Sequence, residues 1–223
     1  MTNQERLLAE DLLLLAFDPE TGRQHSSLSV QLPAAIGGAL LLELALRERL
    51  RIEVDVPRAS SRATGDPLLD EVAQQLRDGP RRHKLKAWVR KVGTTARRDQ
   101  VRDRLVAKRL LATEEQRILG LFTRTRVTLV DPGETERLAA SVRAVLGGDR
   151  PEDDRTMVLA AVVGGTAIVD KLVPRAERRQ ARERAKELAA DSPVAEAVRD
   201  VIRDTQAALM VTMGAAAGAA ASS

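Results

Sequence analysis

The chain has no cysteine and no tyrosine, and its 223 residues include one tryptophan, two phenylalanines and two histidines. Without cysteine there are neither disulfides nor thiol chemistry, which suits a reducing cytoplasm. Without aromatics the core has to be built from Leu, Val and Ala, with Trp88, Phe17 and Phe122 as the only large rings. His25 and His83 stand far apart in sequence, and the chain contains no GxSxG, GxxxxGK[ST] or HExxH phrase. Enzymatic activity is therefore not expected, nor is a cofactor. Long apolar runs are missing too: the longest, Met157 to Val169, falls short of the ~20 residues that span a bilayer and is interrupted by Gly164-Gly165. The opening Met1-Thr2-Asn3-Gln4-Glu5-Arg6 lacks the basic start of a signal peptide, and Glu10-Asp11 break the first apolar stretch. Any membrane contact is expected to be peripheral, from the cytoplasmic side.

What is present is a hydrophobic fraction of 43%, ordinary for a folded chain, in a length suited to one domain with a real core. The pattern predicts a mainly helical protein. Helices are expected near 4–16, 33–47, 67–77, 82–91, 96–109, 133–146, 153–163, 174–189 and 193–213, and strands at 50–56, 117–123 and 125–130. The Arg-, Ser- and Gly-rich stretch 57–66 reads as a loop. Residues 1–213 are expected to form one domain, and the Ala/Gly/Ser run 214–223 a flexible tail. Asp66 followed by Pro67 has the form of a helix N-cap and first turn. Glu152-Asp153-Asp154 follow Pro151 and precede an apolar helix, so they read as first-turn acids rather than a metal site. Helical spacing marks Leu12, Leu15, Leu41, Leu44, Leu69, Val72, Leu105 and Leu110 as core.

Charge is unevenly spread. Between Arg81 and Arg109 twelve basic residues face two acids, Asp99 and Asp103, an excess of ten in a chain whose net charge is +4. The remainder is therefore acidic by six. Such asymmetry draws polyanions, whether lipid headgroups, nucleic acid or acidic protein surfaces; a solvated pair of helix faces with scattered counterions is the plain alternative.

Four phrases in order carry a resemblance. They are Leu7-Leu8-Ala9-Glu10-Asp11-Leu12-Leu13-Leu14-Leu15; Leu40 to Leu50 with Arg51-Ile52-Glu53-Val54; Thr64-Gly65-Asp66-Pro67-Leu68-Leu69-Asp70-Glu71; and Leu105-Val106-Ala107-Lys108-Arg109-Leu110-Leu111-Ala112-Thr113-Glu114. Together they resemble the Golgi phosphoprotein 3 family, whose eukaryotic members bind phosphatidylinositol 4-phosphate on Golgi membranes. The abundance of Arg and Ala points to a GC-rich genome and hence a bacterial member. The resemblance implies a single helical domain with a protruding β-hairpin and a minor strand, acting as an adaptor-like protein on anionic lipids, with membrane-protein tails as further partners. The chain enters the family's first helix almost at once, so the basic N-terminal extension with which eukaryotic members recruit coat proteins is expected to be absent.

The family's headgroup pocket combines a loop aromatic, an arginine early in the second helix and two arginines one turn apart. Those positions fall on Leu28, Gly37, Thr95 and Arg98, and only Arg98 matches. With Arg97 beside it and Arg90 and Lys91 upstream, the expected headgroup site is Arg90, Lys91, Arg97 and Arg98. Because guanidinium recognition of phosphate is directional, the expected binding is weaker or differently selective than in eukaryotic members. Leu28, in the loop His25-Ser26-Ser27-Leu28-Ser29-Val30, is the candidate membrane contact; packing onto the helical core is its alternative role.

The hairpin that follows has two readings. By resemblance it supports self-association, with Leu119, Leu121, Val127 and Leu129 buried against a second chain. From the residues alone, a basic helix followed by a hairpin with Thr123-Arg124-Thr125 at its turn is also the outline of a winged helix on nucleic acid. Gln100 is the only side-chain amide from Arg97 to Arg109, which offers little for base readout.

Overall fold

A computed structural model describes residues 6–118 and 122–190. The protein is mainly α-helical, with two small antiparallel hairpins. In chain order it runs α1 (Leu8–Leu14), a 3-10 turn (Ser26–Leu28), α2 (Leu32–Leu46), β1 (Leu50–Glu53), β2 (Val56–Ala59), α3 (Pro67–Asp78), α4 (Leu85–Val92) and α5 (Thr95–Ala107). Then follow β3 (Leu111–Ile118), β4 (Phe122–Leu129), α6 (Pro132–Gly147), α7 (Asp154–Gly164), α8 (Val169–Leu172) and α9 (Arg178–Ala189). The expected helix at 193–213 and the tail 214–223 lie outside the described residues.

The architecture follows from α2. Its sequence, LPAAIGGALLLELAL, is apolar on every side, and such a helix must be surrounded rather than laid on a surface. Helices α1, α3, α4, α5 and α7 all pack on it. Helix α3 instead buries one stripe, Leu68, Leu69, Val72, Ala73 and Leu76, and its start is set by the Asp66 carboxylate, which accepts the amides of Leu68 at 2.9 Å and Leu69 at 3.2 Å. Asp153 caps α7 in the same way through the amide of Thr156 at 2.6 Å, so the acids after Pro151 do begin a helix. The buried apolar residues form one connected cluster. It contains Leu12, Leu15, Leu41, Leu44, Leu69, Val72 and Leu105, with Leu110 packed on its edge.

Three carboxylates enter this interior. Glu10, Asp11 and Glu43 are buried, and each is met by cations from distant stretches. Arg155 bridges Asp11 at 3.0 Å and Glu43 at 2.9 Å. Arg6 pairs with Asp11 at 2.6 Å and also with Glu134. Glu10 takes Arg104 at 3.0 Å and Lys108 at 2.8 Å, and Arg104 continues to Asp66 at 2.6 Å. Amides of Leu7 and Leu8 complete Glu10 and Glu43, at 2.7 and 2.8 Å. A buried charge is tolerable only when so paired and hydrogen-bonded.

Both hairpins depart from the sequence expectation. The single strand expected at 50–56 is cut by a turn at Val54-Asp55 and folds back, so part of the expected loop 57–66 is β2, with Leu50 opposite Ala59. The second hairpin starts at Leu111 instead of 117 and pairs Leu111 with Leu129. The polar run from Ala112 to Gln116 has weak strand propensity, and cross-strand pairing overrides it.

The loop before α3 is held by an ionised group. Asp70 accepts the Thr64 amide at 2.7 Å, and that bond holds its carboxyl below the ordinary carboxylate range. A lowered acid contributes stability above its unfolded value, about 3.9, and loses it as the pH falls through the lowered one. The stability gap between the protein and Asp70→Asn, from urea denaturation, should be present at pH 6 and shrink below about pH 4. A gap of equal size at pH 3 and pH 6 would assign the effect to something other than ionisation.

Candidate functional site

A cleft of about 590 Å³ opens between α5, the 3-10 turn and β4. Its apolar wall is Leu13, Phe17 and Val127, and its polar lining includes Gln24, Ser26 and Ser29. Four arginines converge on it: Arg23, Arg98, Arg102 and Arg126. Arg98 and Arg102 lie four apart on α5 and so share a face. Asp99 Oδ1 accepts from both, at 2.8 Å from Arg98 and 3.0 Å from Arg102, and Asp103 takes a second bond from Arg102 at 2.8 Å. Both guanidiniums are thus held at the cleft while remaining about a quarter to a third exposed. Arg23 and Arg126 come from elsewhere. An isolated bridge pairs Arg23 with Thr128, and the Leu129 amide donates to the Gly22 carbonyl at 3.0 Å; together these clip the segment after α1 to the strand that carries Arg126. No ion pair is formed by Arg23 or Arg126 among the described residues. The result is a basic concavity with an apolar wall, suited to a small polyanion through planar, bidentate donors.

The expected quartet is divided by the fold. Arg98 lines the cleft. Arg97, its neighbour, points away: it is 7% exposed, pairs with Glu71 at 2.9 Å and reaches Gln75 on α3. Arg90 and Lys91 are exposed in the last turn of α4, where they complement the helix dipole, and Lys91 sits 4.7 Å over the Trp88 ring. None of these three lines the cleft. Much of the basic excess on α5 is also spent internally, since Arg97, Arg104 and Lys108 meet Glu71, Glu10 and Asp66.

Leu28 is corrected as well. It is 0% exposed, packed on the core as its alternative role required, because the 3-10 turn rotates it inward. The apolar residue left outside is Val30, 52% exposed and next to the cleft-lining Ser29. Gly37 could not carry the family's helix arginine: a Cβ there would come within 2.5 Å of the Gly93 backbone, where α2 meets the end of α4. Of the residues expected to join two chains, Leu129 is buried and Val127 packs on the core of its own chain. The base of the hairpin is thus closed against the domain, while Leu119 and Leu121 lie outside the described residues. Arg102 was within reach of sequence reasoning, one turn from Arg98; Arg23 and Arg126 had no local signal.

No helix of the described residues is long and apolar enough to cross a membrane. The chain matches the family model described as Golgi phosphoprotein 3 (GPP34) over residues 8–205. It therefore belongs to the Golgi phosphoprotein 3 family, which is not a family of enzymes. No curated protein matches the sequence.

Proposed function

We propose that the protein is a peripheral, adaptor-like membrane binder that takes an anionic, phosphoinositide-like lipid headgroup in the cleft of Arg23, Arg98, Arg102 and Arg126. The observation that carries this reading is the convergence of four guanidiniums from three separate stretches on one concavity. Two of them, Arg23 and Arg126, have no carboxylate partner among the described residues. Family membership supports the same class of function. Val30, exposed and next in sequence to the cleft-lining Ser29, supplies an aliphatic side chain that would meet the acyl boundary once the headgroup is seated. Asp99 holds Arg98 and Arg102 in register, so an incoming phosphate shares two donors already aimed at it.

The test is co-sedimentation with neutral, generic anionic and phosphoinositide vesicles. Each basic residue at an anionic surface is worth about 1 kcal/mol, so Arg98→Ala with Arg126→Ala should weaken phosphoinositide binding by roughly 30-fold. Arg90→Ala with Lys91→Ala should leave headgroup discrimination in place. If the parent binds no vesicle, or the cleft variant binds as the parent does, the lipid reading fails. Retardation of DNA by the parent would then favour the nucleic-acid alternative.

A further inference from the structure

The turn between β1 and β2 combines features that the fold alone does not require. Val54 is 97% exposed, the most exposed large hydrophobic residue described. It has φ +49°, and Asp55 beside it has φ +67°. A two-residue turn with both positions left-handed favours Asn-Gly or Asp-Gly, and a β-branched residue there is a costly outlier. Strain of this kind gathers at functional positions. On the outer face of the same hairpin Arg51 stands directly opposite Arg58, a like-charge pair that weakens a sheet.

The loop that begins α4 is fastened to this tip. The Leu85 amide donates to the Asp55 carbonyl at 2.8 Å, Arg58 donates to the Arg81 carbonyl at 3.3 Å, and Lys84 lies 3.5 Å from the Asp55 carboxylate. Arg81, Arg82 and Lys84 are exposed. Arg51, Arg58, Arg81, Arg82 and Lys84 thus lie on the hairpin and the loop fastened to its tip, a basic collar in which Glu53 pairs with Arg58 at 3.4 Å and Asp55 with Lys84 at 3.5 Å.

We infer that this hairpin tip and its basic collar form a second membrane contact, which docks on a generic anionic bilayer surface by charge while Val54 enters the interface. The inference rests on the proposed membrane role and adds a contact that is independent of the headgroup cleft. Charge complementarity selects the occupant: an exposed collar suits a diffuse anionic plane, and an aliphatic tip within it gains by leaving water. Nucleic acid would satisfy the collar and leave Val54 without a role.

The test uses the full chain and vesicles of phosphatidylcholine with phosphatidylserine, free of phosphoinositide. Arg81→Ala, Arg82→Ala and Lys84→Ala together should weaken binding about 100-fold, near fivefold per charge. Val54→Asn removes the apolar tip yet suits the left-handed turn. It should fold at least as stably as the parent and bind about tenfold more weakly, the worth of one buried valine. Binding of a soluble inositol phosphate, measured by calorimetry, should be unchanged in both variants and lost in the Arg98→Ala, Arg126→Ala protein. Failure of the parent to bind phosphatidylserine vesicles, or parental binding by Val54→Asn, overturns the inference. So does loss of duplex DNA binding by the charge variant with vesicle binding intact. Absence of inositol phosphate binding by the parent, with the vesicle results as expected, would instead overturn the cleft reading alone.

Discussion

Replacing Arg155 with alanine should cost the fold about 3–5 kcal/mol, the range found when one partner of a buried ion pair is removed. The guanidinium is shared between Asp11 and Glu43, and both carboxylates are buried. Arg6 and Arg47 remain as their counterions at 2.6 and 2.9 Å, but neither bridges the two acids. Burial already holds the Asp11 carboxyl above the ordinary carboxylate range, against the pull of Arg6 and Arg155. A raised acid opposes folding above its raised value, and that opposition fades as the pH falls through it. Without Arg155 the value rises further, so the deficit of Arg155→Ala relative to the parent should narrow on acidification. Denaturant titrations from pH 8 to pH 4 give both results. A loss under 1 kcal/mol, or a deficit that widens toward low pH, would mean that the pair is not what neutralises this part of the core.

Gly37→Arg, which restores the family's helix arginine by sequence, should yield no folded protein, and Gly37→Ala alone should lose about 1–3 kcal/mol through overpacking. The added Cβ would approach the Gly93 backbone at 2.5 Å and the Val89 carbonyl at 2.8 Å. These are backbone atoms of α4 and its C-terminal end, which cannot swing aside as a flexible side chain can. Gly147 is the control: a Cβ there meets nothing within 4 Å, so Gly147→Ala should be close to neutral. Circular dichroism melts of the three variants decide the matter. A cooperatively folded Gly37→Arg protein with parental thermal stability would show that α2 and α4 can separate.

The two results bear on the same division of labour. Close approach of α2 and α4 gives up one family position, and the cleft draws its donors from α5, the segment after α1 and β4. A cradle assembled from separated stretches is sensitive to how the β3–β4 hairpin sits. The contact between Gly22 and Leu129 thereby helps to set where Arg23 and Arg126 stand.

Local information was enough for α1 to α7, α9 and most of the core, while the short α8 was not expected. The apolar surround of α2, the Asp66-Pro67 start of α3 and the stripe from Leu68 to Leu76 depend on neighbours within a few turns, and α-helical hydrogen bonds close within four residues. Hairpin limits were less legible because strand pairing is decided by the partner: Glu114 is a strand residue through its place opposite Arg126. Charge was the least legible of all. By itself the sequence determined that basic residues crowd 81–109 and that Arg98 and Arg102 share a face. Only the tertiary structure decided which of those charges are consumed, by setting Glu10, Asp66 and Glu71 against Arg104, Lys108 and Arg97. It also decided which charges remain to act, by clipping Arg23 and Arg126 to the cleft. The reason is physical: Coulomb interactions follow distance in space, and residues 94 and 98 positions apart in sequence stand 3.0 and 2.8 Å apart in the fold.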